Sequence, residues 1–475
     1  MGDEISHRFF SAEDFTRFRE RLDEETSLLR RQFDRGELSP RGDTAGFELE
    51  AWLIDKQGNA LPENDRFLDR LHSPLVVPEL AKFNVELNGS PSALTGRVFT
   101  RLHDELDATW SACRRTASGL NAYILAIGTL PTATQALFDA HSMSAMMRYQ
   151  SLNDRVMALR DGRDLTINIE GDQPLRLHHH DVMLEAATTS FQIHLQCRPP
   201  QAVRDFNASM IASAATVAAG ANSPLLFGHL LWDESRIPLF EQAVDVGDRY
   251  PARVSFGDGY IRESLLEIFE ENQREHLILI PMVQDTPPAR FAHVRFHNGT
   301  VWRWNRPLIG FDFDGQVHLR IEHRVVSAGP TTRDCIANAA FYFGLVRGLG
   351  LQVVPPETQL PFADARDNFY KAARYGLNAQ VVWPDAQGSL RATGLRRLIA
   401  DELLPLARRG LASMDIPDRE IEDHLGIIAA RVDNSQNGSA WQRRWLTMND
   451  ASLHELVLRY RELQDGGDPV HTWPL

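Results

Sequence analysis

In Ala45-Gly46-Phe47-Glu48-Leu49-Glu50-Ala51-Trp52-Leu53-Ile54-Asp55 every odd-numbered residue up to Leu53 is apolar, and Glu48 and Glu50 stand between them. Side chains alternate across a β-strand, so Ala45, Phe47, Leu49, Ala51 and Leu53 share one face, and Glu48 and Glu50 share the other. A turn at Gln57-Gly58-Asn59 ends the strand. Three more segments repeat the pattern. Phe83, Val85 and Leu87 oppose Asn84, Glu86 and Asn88; Phe191, Ile193 and Leu195 oppose Gln192, His194 and Gln196. In the last, Val317, Leu319, Ile321 and Val325 oppose His318, Arg320, Glu322 and Arg324, and His323 is the one departure from the apolar series. Such alternation belongs to antiparallel sheets with one covered face, not to doubly wound parallel sheets. The spacing therefore predicts an α+β fold, an antiparallel sheet with helices packed on one side.

The polar series is chemically unusual. An ordinary wetted face leans on Thr, Lys and Ser. These four rows hold carboxylates, amides, histidines and arginines instead. Two glutamates at i and i+2 repel unless positive charge lies between them. A divalent ion such as magnesium or manganese supplies it, and His or Gln can complete the shell. Arginines on the same face suit phosphate or carboxylate groups. Together these groups fit a nucleotide phosphate plus an acid as substrates.

Around these strands, apolar spacing predicts helices over 11–33, 98–119, 200–220 and 331–348. A polar connection is read over 142–181, and mostly helix beyond about Asp364, with apolar periodicity in 395–412, 419–431 and 450–463. Lys and Arg total 50 against 64 Asp and Glu, a formal net charge of −14. That balance excludes general nucleic-acid binding, which needs surplus positive charge. Hydrophobic residues at 43% permit a large core without disulfides. Cys113, Cys197 and Cys335 lie far apart with no C-x-x-C pair, which reads as three inert thiols. Met1-Gly2-Asp3-Glu4 opens no basic-then-apolar leader, and no run of 18 apolar residues occurs, so a cytoplasmic protein without a membrane span is expected.

At the four strands the sequence resembles the glutamate–cysteine ligase family of carboxylate–amine ligases, which shares its fold with glutamine synthetase. Gly46-Phe47-Glu48-Leu49-Glu50 resembles the family's Gly-x-Glu-x-Glu strand, Asn84-Val85-Glu86-Leu87 its second acidic strand, and Glu79 a further acidic position. Gln192 and His194 resemble a pair of ligands one residue apart, although related sequences often carry His first. Ala221-Asn222-Ser223-Pro224, Ser235-Arg236, Thr300 through Arg306, Glu322-His323-Arg324 and Asn368 through Gly376 resemble later stretches, so the likeness spans about residues 44 to 380.

The resemblance implies a glutamine synthetase-like sheet with the active-site cavity on its polar face. It implies a catalytic unit over 1–360 and a mostly helical region over 361–475 packed on it. It implies ATP as co-substrate, Mg2+ or Mn2+ as cofactor, and small-molecule acid and amine substrates. The γ-phosphate would pass to the glutamate side chain, and the amine, cysteine or another, would attack the acyl phosphate. Glu48, Glu50, Glu79, Glu86, Gln192, His194 and Glu322 would hold metal. Arg306 and Arg324 would be catalytic, and with Arg236 would bind the acid or phosphate.

Several plainer readings stand beside these. His178-His179-His180 reads as a surface turn, Trp302 and Trp304 as packing residues, and Arg324 as a salt-bridge partner of Glu322. Rival functions on the same face are phosphoryl transfer to a guanidino compound, metal-dependent hydrolysis without ATP, and a non-catalytic nucleotide or metal binder. A P-loop enzyme is excluded by the missing G-x-x-x-x-G-K-S motif.

Overall fold

The structure, a computed structural model, describes residues 4–475. Met1, Gly2 and Asp3, which opened the reading of the N-terminus, lie outside the described residues.

Six strands carry the architecture: β1 (Thr44–Ile54), β2 (Val76–Pro78), β3 (Asn84–Asn88), β4 (Phe191–Cys197), β5 (Asn305–Phe311) and β6 (Val317–His323). They form one antiparallel sheet in the order β5-β6-β4-β1-β3-β2, and Ser92–Ala93 and Tyr123–Leu125 add short pairings to β1. All four alternating segments of the sequence thus lie side by side. Their apolar rows are buried: Phe47, Leu49, Phe191, Ile193, Leu319 and Ile321 are each at most 3% exposed. Burying a side chain of this size stabilises by about 2 kcal/mol. A one-residue slip would exchange the faces and drive carboxylates into the core, so the register is strongly specified.

Around the sheet lie α1 (Ala12–Arg35), α2 (Val98–Gly119), α3 (Met147–Leu159), α4 (Ala202–Gly220), α5 (Ala292–Asn298) and α6 (Thr332–Gly350), with α3 and α5 over its polar face. The small-residue helices α4 and α6 pack on each other and on the apolar face. His323, the odd residue of the apolar row, is fully buried between them and satisfied at both nitrogens. Its Nε2 lies 2.9 Å from Thr216 Oγ1 and its Nδ1 2.7 Å from Asn305 Oδ1, with the ring stacked on Tyr342.

Two stretches differ from expectation. The supposed connection 142–181 contains α3 and a β-hairpin, Leu165–Ile169 with Leu175–His179. Helix α3 carries an apolar stripe, Tyr149, Leu152, Val156 and Leu159, set among polar residues, and Tyr149 and Leu152 of that stripe line the cavity. The C-terminal stretch is helical except for a hairpin at Gln380–Pro384 and Leu390–Gly394. It is tied down by buried polar contacts, among them Arg431 Nη2 to Asp334 of α6 at 2.8 Å and Tyr460 Oη to Asn222 at 2.8 Å. All three cysteines are buried and unpaired. Among the described residues no helix is long and apolar enough to cross a membrane.

Candidate active site

The polar face of the sheet is the floor of a cavity of about 270 Å³. Cross-strand register sets its rows. Arg306 of β5 faces Glu322 of β6, which faces His194 of β4. One row on, Gln192 faces Glu48 of β1, and beyond that Glu50 faces Glu86 of β3. Glu79 follows the end of β2 and reaches the same corner. The roof comes from Arg148, Tyr149 and Leu152 of α3, Arg295 and Phe296 of α5, and Thr300 and Trp302 beyond it.

Two ligand triads result. In the first, one atom each of Glu48, His194 and Glu322 lies within 4.8 Å of the others. His194 Nε2 is 3.6 Å from Glu48 Oε1 and 3.8 Å from Glu322 Oε1, too far for hydrogen bonds. Two ligands about 2.1 Å from a shared octahedral ion are separated by roughly 3 to 4 Å, so these spacings suit a common cation. Buried His194 Nε2 has no hydrogen-bond partner among the described residues. Burial lowers the imidazole's pKa against the pull of Glu48, which favours the neutral form that a metal binds.

Glu322 is also gripped by arginines. Arg306 binds it through Nε and Nη2, both at 3.0 Å, and Arg324 Nη1 donates to Oε2 at 2.7 Å. Burial alone would raise this carboxyl. Arg306 and Arg324, with His194, outweigh it and hold Glu322 well below the usual carboxylate range. A carboxylate offers about four lone-pair positions. Three are used, and the one left on Oε1 faces His194. The plainer reading of Arg324 as a salt bridge therefore coexists with a ligand role for Glu322.

In the second triad, one oxygen each of Glu50, Glu79 and Glu86 lies within 4.8 Å of the others. Their hydrogen bonds come from neutral donors: the Ser190 N–H and Gln192 Nε2 to Glu50, the Leu80 N–H to Glu79, and Asn88 Nδ2 to Glu86. Burial raises all three. Glu86 is pushed up to about 8, with Glu48 and Glu50 adding to the effect, and Glu79 stands well above its usual value, with Glu86 and Glu50 adding. Three buried acids with raised affinity for protons make a donor set that fits a hard divalent cation.

Two residues sit elsewhere than expected. Gln192 lies between the triads: its Nε2 donates to Glu50, and its Oε1 accepts from Arg324 at 3.3 Å. One lone pair of that oxygen is thus engaged, and the side chain expected as a ligand links Arg324 to Glu50 between the two triads. Arg236 is absent from the cavity lining. It is 2% exposed, pairs with Glu234 and donates Nη2 to the carbonyls of Arg324 and Val325, at 3.0 and 2.7 Å. Its expected contact with substrate is replaced by support of the chain that carries Arg324.

The sequence reading passed over Arg320 and Glu185, both of which line the cavity. Arg320 lay in the polar row two residues before Glu322, and its Nε is buried without a hydrogen-bond partner among the described residues. Glu185 sits on the short helix Val182–Ala187, where no periodicity marks it. Trp304 is buried in packing, as expected, whereas Trp302 reaches the cavity wall. The three histidines at 178–180 diverge: His179 turns to Asp181 and His180 to Asp164.

An antiparallel sheet with carboxylate triads and arginines on its open face is the frame of a glutamine synthetase-like, ATP-dependent carboxylate–amine ligase. A family model described as "Glutamate-cysteine ligase family 2(GCS2)" matches residues 44–466, and the chain belongs to that family. Among solved structures, it is similar to a glutamate–cysteine ligase from Francisella tularensis in complex with AMP. Identity is 12%, the match covers 92% of this chain and 90% of that one, and the TM-score is 0.55. A bifunctional glutathione synthetase from Pasteurella multocida matches at 9% identity over 93% of this chain and 55% of that one, with a TM-score of 0.45. No curated protein sequence matches the chain.

Proposed function

We propose that this chain joins the side-chain carboxylate of glutamate to an amine, cysteine or another amino acid or amine, by way of an acyl phosphate. The observation that carries the reading is the convergence of the carboxylates of both triads with Arg306, Arg320 and Arg324 in one cavity, with His194 3.6 Å from Glu48 and 3.8 Å from Glu322 at its floor. Glu48, His194 and Glu322 would hold one Mg2+ or Mn2+ ion, and Glu50, Glu79 and Glu86 another. Such ions, when bound, offset negative charge on the phosphate oxygens of ATP. Arg306 and Arg324 hold Glu322 in place and face the space where the transferring phosphoryl group carries its charge. Arg320 is placed to receive the acid's carboxylate or a phosphate. The roof over this floor limits water, which would otherwise hydrolyse the acyl phosphate.

In this reading residues 1–360 form the catalytic unit and 361–475 its helical buttress, in a cytoplasmic setting supplied with ATP. ADP release should require magnesium, a glutamate-like acid and an amine together. A panel of acids and amines tests this. ADP formation unaffected by omitting the amine would favour a hydrolase, and none with any pair would overturn the ligase reading for glutamate and amines.

A further inference from the structure

The chain is acidic as a whole, yet three arginines converge at one place outside the active site. Ser111, Arg114, Arg115 and Ser118 recur at helical spacing, so one face of α2 presents them together. Arg461 comes from the C-terminal helix Leu453–Gly466, and Tyr123 from the short strand that pairs with the end of β1. These groups line a cavity of about 490 Å³ that shares no lining residue with the carboxylate cavity.

Asp465 is the one acid in this lining among the described residues, and two of the arginines already share it. Arg114 Nε lies 2.8 Å from its Oδ1, and Arg461 Nη1 donates to its Oδ2 at 2.7 Å. That arrangement fastens α2 to the C-terminal helix, but it accounts for only part of the positive charge. The exposed Arg115 side chain has no ion pair or hydrogen bond among the described residues, and Arg461 Nε is buried there without a hydrogen-bond partner. Lys56 adds a further cation: its Nζ lies 3.6 Å from the centre of the Tyr123 ring, and Arg461 Cζ lies 4.3 Å from it. Like charges gathered in a concave wall repel one another and raise the local attraction for anions.

The wall is set before any ligand arrives. The Ala126 N–H donates to Gln464 Oε1 at 3.1 Å, and Tyr460 Oη and Gln464 Nε2 donate to the Ala126 carbonyl at 3.0 and 2.9 Å. Tyr460 and Gln464 immediately precede Arg461 and Asp465, so the same contacts fix where those two stand.

We propose that this cavity is a second binding site, for a small anion bearing phosphate groups. Its volume falls within the range of about 300–1,000 Å³ usual for small-molecule sites. The lining has two more positive charges than negative, and Lys56 makes a third, which matches a compound of two or three negative charges. Guanidinium forks grip phosphate through paired hydrogen bonds, and the Ser111 and Ser118 hydroxyls add neutral donors at the edge. The acidity of the chain argues against a nucleic acid, which needs surplus positive charge over a wide surface.

Calorimetric titration of the full chain with inorganic pyrophosphate tests this, in metal-free buffer of low ionic strength. Arg115→Ser and Arg461→Gln should each weaken binding by about tenfold or more, the loss of a charge-assisted hydrogen bond. Arg115→Ser breaks no ion pair, so its melting temperature without pyrophosphate should equal that of the unaltered chain. Arg320→Ala, in the carboxylate cavity, should leave the arginine-dependent binding intact. Binding that survives both Arg115→Ser and Arg461→Gln, or that disappears in Arg320→Ala, would overturn the proposal, as would no binding to the unaltered chain. Citrate, a carboxylate anion of similar charge, should bind more weakly; equal affinity for citrate would overturn the assignment to phosphate.

Discussion

Glu48, His194 and Glu322 sit on the arginine side of the cavity floor. Glu50, Glu79 and Glu86 lie further across the sheet, and no arginine donates to them. The two triads are alike in size and burial, yet their charge is handled differently. In the first, Arg306 and Arg324 both donate to Glu322, so two positive charges sit beside the triad's two carboxylates. In the second, the hydrogen bonds to the three acids come, among the described residues, only from amides and backbone N–H groups. Two like charges about 4.8 Å apart repel by roughly 3 kcal/mol at an effective dielectric of about 20. The protein therefore carries its own counterions for one triad and must import protons or a cation for the other. The first can stay preorganised between turnovers, while the second changes state when metal arrives.

The largest effects should come from breaking the internally paired triad. Glu322→Gln strips a buried carboxylate from two buried arginines, and removing one partner of such a pair costs about 3–5 kcal/mol. Thermal or urea unfolding should show that loss, and turnover should vanish. A stability change under about 1 kcal/mol would mean the arginines find other partners and the triad is not preorganised. Glu86→Gln should do the opposite in metal-free protein, raising stability, because it removes a buried acid whose ionisation burial and Glu48 oppose.

Metal addition sharpens the contrast. A ligand at 100 times its Kd stabilises the folded state by about 2.7 kcal/mol. Magnesium or manganese should raise the melting temperature of the unaltered chain, and Glu86→Gln should lose most of that shift. An equal shift in both would place the stabilising ion elsewhere.

The same triad sets a smaller pH effect. Glu86 titrates near 8 in the metal-free fold and at about 4.3 when unfolded. Between those values the folded chain holds the extra proton, so metal-free stability contributed by this group declines as pH rises from about 4.5 through about 8. Glu86→Gln should flatten that slope, and saturating magnesium should do so too. A slope unchanged by the substitution would assign the pH response to other groups.

These contrasts were only partly legible in the chain. Period-two alternation gave the strands and their faces, since a strand's geometry leaves side chains only two directions. That alternation alone puts Glu48, Glu50, Glu86, His194, Glu322 and Arg324 on one surface. Glu79 and Arg306 came from the family likeness, because neither lies within one of the four alternating segments. What failed was anything set by how loops and helices return to the sheet. Arg236 starts a helix, Arg236–Ala243, whose direction no local pattern fixes, and it turned beneath the floor. Glu185 rides a single short turn. Helix α3 reads as a connection only because polar residues surround its stripe; Tyr149, Leu152, Val156 and Leu159 do recur at helical spacing.

Gln192 gives the finest test, since it joins the triads instead of belonging to one. Its amide passes a hydrogen bond from Arg324 to Glu50, and its orientation follows from that pair of neighbours: a carboxylate can only accept and a guanidinium only donate. As a metal ligand it would be as indispensable as His194, and Gln192→Ala and His194→Ala should then be equally damaging. As a bridge it contributes two hydrogen bonds to charged groups, each worth about 1.5–3 kcal/mol at most, and water can replace part of that in a cavity. Gln192→Ala should therefore reduce turnover about tenfold with metal affinity nearly unchanged, while His194→Ala abolishes turnover and weakens metal binding. Equal loss of metal affinity in the two variants would return Gln192 to the ligand shell and erase the division between the triads on which the contrast depends.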